Sequence, residues 1–314
     1  MTATRFACCM MFLMVAGPWY DSPSLADTPA PLELIVLGSG GPGATGRAAS
    51  SYLVLLDGTP RIIVDAGPGS FVTLGKAGVS LQSLDLVLLT HLHIDHVGEL
   101  PGLFKARVVS ASGPVVFNVW GPAGSAGAKQ DAYFPSTRRY LDLLFGGDGA
   151  FAYLKSFSAP MTIRGHDIVA PVLGTAVPRA IHRDGKLKIS AVAGHHGDAP
   201  AVIYRIDYAA KSITFSGDID AQGLAALRTI AKGSDLLVFN SVVLDPPGSP
   251  AILYTLHTPP LAIGEIARQA AVHAVLLSHL SPATDQQHDQ VLDSIRANYQ
   301  GPVRLAADGI HLTP

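Results

Sequence analysis

The stretch Leu86–Leu103, LVLLTHLHIDHVGELPGL, decides the fold. Five apolar or small residues run directly into His91, His93, Asp95 and His96. Three imidazoles and a carboxylate at the end of a buried strand each cost free energy to desolvate unless they find a partner. A cation partners all four at once. Side chains at i and i+2 of a strand share a face, so His91 and His93 can converge on one ion. Asp95 and His96 follow where the chain turns and can face a second.

Similar strand ends recur downstream. Apolar runs bounded by turn residues predict strands at Leu32–Gly38, Ser51–Leu56, Arg61–Gly67, Asp85–Thr90 and Pro114–Gly121. In the second half they predict Lys186–Gly194, Ala201–Tyr208, Ser212–Asp218, Asp235–Asn240, Ala274–His279 and Val303–Gly309. Helices are expected at Ser136–Phe145, Ala221–Lys232, Leu261–Ala271 and Thr284–Tyr299. Two groups of strands with fewer helices fit two packed sheets with helices outside. Of the second-half strands, one ends at His195 and His196, one at Asp218 and one at His279. Singly each has a bland explanation as a cap or a turn; together they point to one shared site. The G-x-G-x-x-G spacing of Gly38, Gly40 and Gly43 is a weak dinucleotide signal. Too few residues follow it for the helix that would meet a pyrophosphate, so it reads as a loop lining a cleft.

The H-x-H-x-D-H run, the H-G before Y-R-I, the S-G-D and the S-H together resemble the metallo-β-lactamase superfamily, from about Leu32 to the C-terminus. The resemblance implies an α/β fold, an αβ/βα four-layer sandwich of two mixed sheets with flanking helices, forming one hydrolase domain over 27–314. It implies that His91, His93 and His196 hold one metal, that Asp95, His96 and His279 hold another, and that Asp218 bridges them. His195 stays an alternative to His196, which is favoured because Gly197 follows it. Asp95 and His257 are the expected catalytic residues. His257, in LHTPPLAIGEIA, resembles the assisting histidine of the transfer-RNA 3′-processing endonucleases and related arylsulfatases; the alternative is a polar helix-start residue. Nitrogen and oxygen ligands suit two divalent ions, zinc first, with manganese or iron as alternatives. Such a pair supplies a bridging hydroxide for hydrolysis.

Substrate is harder to read, since fold does not fix function. The formal net charge of -2 advertises no basic surface to nucleic acid or anionic lipid. Only 218 − 196 = 22 residues separate His196 from Asp218, too few for the long arm that transfer-RNA processors usually carry there, and Asn240 stands where the family places an acidic partner. A small phosphate or sulfate ester is therefore the expected partner, with no nucleic acid and no membrane anchor; a homodimer is compatible with the sequence. The alternatives are a lactonase or β-lactamase, a transfer-RNA 3′-endonuclease-like enzyme, or a metal-binding protein without catalysis. The segment 123–157, with Tyr133, Phe134, Arg138, Arg139, Tyr140, Phe145, Phe151 and Tyr153, reads equally as an aromatic lid with an anion-binding arginine or as a helix packing an apolar stripe.

At the N-terminus, Arg5, the 12-residue apolar run Phe6–Gly17 and the small residues Ser24 and Ala26 resemble a secretory signal over 1–26, implying a periplasmic or secreted protein. Cys8 and Cys9, the chain's 2 cysteines, would leave with it. N-terminal sequencing of the protein from its host should find a mature chain starting at Asp27; an intact Met1 would remove the export reading.

Overall fold

The computed structural model describes residues 29–126, 133–169 and 177–314; the segment 1–26 expected to be a secretory signal lies outside them. Two 7-stranded sheets face one another. The first runs, edge to edge, His311–Leu312, Leu32–Gly38, Ser51–Leu56, Thr59–Val64, Leu86–Leu88, Val115–Pro122 and Met161–Ile168. The second runs Val303–Leu305, Ala274–Ser278, Leu236–Asn240, Lys211–Phe215, Val202–Tyr208, Leu187–Ala193 and Arg179–Asp184. Each is part antiparallel and part parallel.

The strands read as unbroken apolar runs because both faces are covered. Leu34 and Val36 join Tyr204, Ile206 and Phe215 between the sheets, while Ile35 and Leu37, one residue out of phase, pack toward the helices with Leu103 and Phe104. Helices Ser70–Ala77, Leu100–Val109 and Thr137–Phe145 cover the outer face of the first sheet. Helices Leu224–Ile230, Pro260–Gln269 and His288–Arg296 cover that of the second. The result is the αβ/βα sandwich. Among the described residues no helix is long and apolar enough to cross a membrane.

Several boundaries differ from the sequence reading, each for a local reason. The strand expected over Arg61–Gly67 ends at Val64, because Asp65 turns into the left-handed region with φ 56°. The helix expected over Thr284–Tyr299 is two, Pro282–Gln286 and His288–Arg296, broken at Gln287. Two edge strands escape the sequence reading: MTIRGHDI and RAIHRD bury only part of one face, so polar residues dilute the apolar signal. Helix Leu100–Val109 is masked in the sequence by Pro101 and Gly102, yet Pro sits in its first turn, where the missing N–H is not needed.

Two contacts tie the sheets together beside the strand that leads into the histidine run. Tyr204 Oη donates to the Leu89 carbonyl (3.0 Å), and Val202 N–H donates to the Thr90 carbonyl (2.7 Å). Tyr204→Phe would strand a buried carbonyl and should lower the unfolding free energy by about 1–3 kcal/mol. Equilibrium urea denaturation measures it; an unchanged midpoint would show that this bond does not hold the sheets in register.

Candidate metal centre

The strands Leu187–Ala193, Lys211–Phe215, Leu236–Asn240 and Ala274–Ser278 point the same way across the second sheet, so the loops after them open on one edge. The loop after Leu86–Leu88 meets them there. His91, Asp95, His96, His196, Asp218, His257 and His279 are all buried at this edge, and His93 is half-buried. Four overlapping groups of side chains could hold a cation: His91, His93 and His196; His91, His96 and Asp218; Asp95, His96 and His279; and His196, Asp218 and His257.

Asp218 is the hub. Its Oδ2 lies 3.9 Å from His91 Nε2, 3.6 Å from His96 Nε2, 3.7 Å from His196 Nε2 and 3.4 Å from His279 Nε2. Asp95 Oδ2 lies 3.1 Å from His279 Nε2 and 3.6 Å from His96 Nε2. On the far side of the rings the partners fix the tautomers. His96 Nδ1–H donates to Asp65 Oδ2 (2.8 Å), and His196 Nδ1–H to the Leu256 carbonyl (2.9 Å). Thr90 gives its hydroxyl proton to Asp65 Oδ2 (2.8 Å) and so accepts from His91 Nδ1–H (3.2 Å). Three Nε2 lone pairs are thereby aimed at the same space.

The donor set fits a cation on the structure's own chemistry. His96 Nε2 is buried without a hydrogen-bond partner, and His91 Nε2 faces His93 Nδ1 at 3.1 Å. With His91 Nε2 unprotonated, a positive ion between those two nitrogens satisfies both. Electrostatics say the same. Burial pushes the Asp218 carboxyl up, but His279 and His96 reverse this and hold it well below the usual carboxylate range. Burial pulls His96 down, but Asp65 and Asp218 raise it well above the ordinary histidine value, whereas burial and the His96 charge drive His91 far below. The cluster is demanding positive charge, and a cation delivers it without crowding protons onto neighbouring imidazoles.

His195 and His196 part company. His196 is 2% exposed and joins the cluster, whereas the His195 side chain is 37% exposed and turns to Asp220 (Nδ1–Oδ2 2.6 Å). His257 enters from the loop after the 3₁₀ turn Ala251–Thr255, its ring 5.2 Å from that of His196 and 6.0 Å from that of His279, with Nδ1 buried and unpartnered. Burial lowers its pKa to about 4, so at neutral pH it is an uncharged imidazole with one N–H to give.

Asp65 is a site residue that the sequence reading does not find: its only signal is an acidic residue closing an apolar strand. Its second oxygen accepts the Thr90 N–H (2.7 Å), so one carboxylate positions three groups. Asn240 stands out in the sequence only as a departure from the family pattern; its Nδ2–H donates to Asp218 Oδ1 (2.5 Å) and fixes the hub. Asp65 and His279 both hold left-handed backbone (φ 56° and 53°), strain of the kind concentrated at functional positions. The glycine loop lines the cleft: a Cβ on Gly41 would come within 2.7 Å of the His279 ring. Likewise a Cβ on Gly67 would sit 2.2 Å from the Asp95 carbonyl, so the histidine loop needs that glycine to pack. At the mouth stand Ile94, 75% exposed, and Phe134, whose ring lies 5.8 Å from that of His93. Of the two readings of the 123–157 segment, the packed helix is seen, since Thr137–Phe145 buries Leu141 and Phe145; residues 127–132 lie outside the described residues.

The metallo-beta-lactamase superfamily profile matches residues 44–255, more than half of the chain, and the chain belongs to that superfamily. A relative named Ribonuclease Z from Mycobacterium sp. (strain KMS) is 27% identical over 259 residues, covering 80% of this chain and 85% of its own length. Among solved structures, the metallo-beta-lactamase fold protein YhfI from Bacillus subtilis matches with a TM-score of 0.63 at 20% identity, covering 90% of this chain and 100% of that one. Human tRNase Z, short form, matches with a TM-score of 0.63 at 19% identity over 90% of this chain and 98% of that one; at such identity both show the fold alone. Superfamily membership makes the chain a metallo-hydrolase and implies a dinuclear centre. The relatives' name overturns the expectation of a small phosphate or sulfate ester and of no nucleic-acid partner. That expectation leaned on a net charge of -2, a whole-chain sum that says nothing of where the cations lie. It leaned also on the 22-residue gap, which does hold a single hairpin, Val202–Tyr208 with Lys211–Phe215, but governs only one place where a polyanion could be held.

Asp65→Asn puts an amide nitrogen, which cannot accept, where the carboxylate takes protons from Thr90 and His96. Metal affinity should fall by about 10–100-fold with the fold retained, as losses of such supporting partners do. Competition with a chromophoric chelator measures it, and unchanged affinity would show that Asp65 does not orient His96.

Proposed function

We propose that this member of the metallo-beta-lactamase superfamily is a metal-dependent phosphodiesterase that cuts RNA, as the name of its ribonuclease Z relatives describes. What carries the reading is that likeness, over 80% of this chain, joined to the ring of donors around Asp218. His91, His93 and His196 would hold one ion, Asp95, His96 and His279 the other, and Asp218 would bridge them. The all-nitrogen-and-oxygen set supports zinc first, with manganese or iron as alternatives.

Two such ions supply Lewis acidity and lower the pKa of a coordinated water toward neutrality. The protein's own part is placement. Asn240 holds one oxygen of Asp218 so that the other faces the four imidazoles. Gly41 lets the 39–50 loop close on His279, walling the ring from bulk water. His257, uncharged at neutral pH, offers an N–H to a non-bridging phosphoryl oxygen, a bond that strengthens as negative charge gathers there. Of the two roles open to this residue, holding an oxygen suits the low pKa better than delivering a proton.

Incubation of the holoenzyme with an RNA hairpin carrying a single-stranded 3′ tail should release that tail, and EDTA should stop it. Absence of cleavage after loading with zinc or manganese would overturn the proposal. His257→Ala should leave metal content intact while lowering kcat by about 10²–10³-fold, the usual size for loss of one charge-stabilising donor. If it changes melting temperature and not kcat, His257 is structural.

A further inference from the structure

A net charge of -2 leaves room for a local cluster of cations. Arg138, Lys155 and Arg164 line one depression of about 340 Å³ between helix Thr137–Phe145 and strand Met161–Ile168. All three are exposed, and none has an ion-pair partner among the described residues. Asp142, which also lines the depression, pairs with Arg139 (2.6 Å), and Asp167 accepts the backbone N–H of Arg138 (3.0 Å). The floor is narrow because Gly165 lies against Arg138 and Leu141, where a Cβ would approach the Leu141 side chain to 3.0 Å. Positive charge continues beyond it. Trp120 stacks on His166 (ring centroids 4.8 Å) and meets His182 edge to face (5.5 Å), joining the two edge strands, and the second of these carries exposed Arg179 and Arg183.

This strip leads back to the metal centre. Helix Thr137–Phe145 starts three residues after Phe134, whose ring overlooks His93. Tyr140 ties the helix to the histidine loop through the Val97 carbonyl (3.2 Å). A cluster of cations without ion-pair partners, on and beside a helix that begins next to an aromatic ring at a hydrolytic site, fits a phosphodiester backbone whose terminal base stacks at the mouth. An acidic polypeptide would match the charges but not the aromatic ring at the reacting end.

Resting on the reading of the enzyme as an RNA phosphodiesterase, we propose that Arg138, Lys155 and Arg164, continued by Arg179 and Arg183, form the track that holds the RNA backbone, and that Phe134 stacks the base next to the scissile bond. The track binds phosphates by charge alone and so carries affinity rather than sequence preference.

The test uses the loaded, full chain and a fluorescein-labelled RNA hairpin with a 3′ tail, followed by anisotropy for binding and by gel for cleavage. Arg138→Glu/Lys155→Glu/Arg164→Glu should raise Kd and KM at least tenfold while kcat stays within about twofold. The slope of log Kd against log salt should fall by about 2–3, since each phosphate that the protein neutralises adds roughly 0.7–0.9 to it. Arg179→Glu/Arg183→Glu, on a separate strand, should act in the same direction if the first set fails to fold. Phe134→Ala should raise KM about tenfold by removal of one stacked base. Arg228→Glu/Lys232→Glu, elsewhere on the surface, should leave KM where it is. Unchanged Kd and salt slope in both charge-reversal sets, with RNA still cleaved, would overturn the track and leave the proposed activity standing. RNA bound with the predicted salt slope but never cut would overturn the activity and leave the track standing. Displacement of the hairpin by poly-glutamate as readily as by unlabelled RNA would overturn RNA as the occupant.

Discussion

Everything at this edge of the molecule depends on one buried negative charge, the Asp218 carboxylate, being surrounded by four imidazole nitrogens at 3.4–3.9 Å. Protons serve that ring poorly at His91, where burial and the neighbouring His96 charge drive the pKa far below the ordinary histidine value. Concentrated positive charge is the solution, and the surrounding structure is shaped to receive it. Asp65, Thr90 and the Leu256 carbonyl hold the outer nitrogens of three rings, and Asn240 holds the outer oxygen of the carboxylate. Gly41 is there because its backbone must touch the His279 ring, and Gly67 because its backbone must touch the Asp95 carbonyl.

Much of this could be read from the sequence because ligand chemistry is local. H-x-H-x-D-H at the end of an apolar run carries its own explanation, and seven expected residues, with His257, do meet at one edge. The choice between His195 and His196 could not be read, since neighbouring residues on a strand end point in opposite directions and only the paired strand fixes which faces inward. Asp65 lies 26 residues before the nearest histidine and looks like any acidic strand end (91 − 65). Its role comes from the parallel pairing of Thr59–Val64 with Leu86–Leu88, a long-range fact that no local spacing encodes. The same limit hides the edge strands Met161–Ile168 and Arg179–Asp184, whose half-exposed faces blur the apolar pattern.

The substrate reading goes astray for a different reason. A sum of charges is a property of the whole chain, whereas a polyanion responds to charge within about a Debye length, roughly 8–10 Å at physiological salt. Here acids near the first-sheet edge are taken up in pairs, such as Asp142 with Arg139 and Asp85 with Arg61, while Arg164, Arg179 and Arg183 stand exposed on the edge strands. A mildly acidic protein can therefore present a basic face.

The donors come from both halves of the chain: His91, His93, Asp95 and His96 from the loop of the first sheet, His196, Asp218 and His279 from the second. Neither half offers a complete coordination sphere by itself. The site can therefore exist only after the two sheets have docked, and ion capture is a late event in folding that reports on that docking. Once captured, the ions act as a clasp across the seam, adding stability that grows with the logarithm of free metal concentration. Metal scarcity would then loosen the junction between the halves before it disturbed either sheet, linking the enzyme's lifetime in the cell to the supply of the ion it works with.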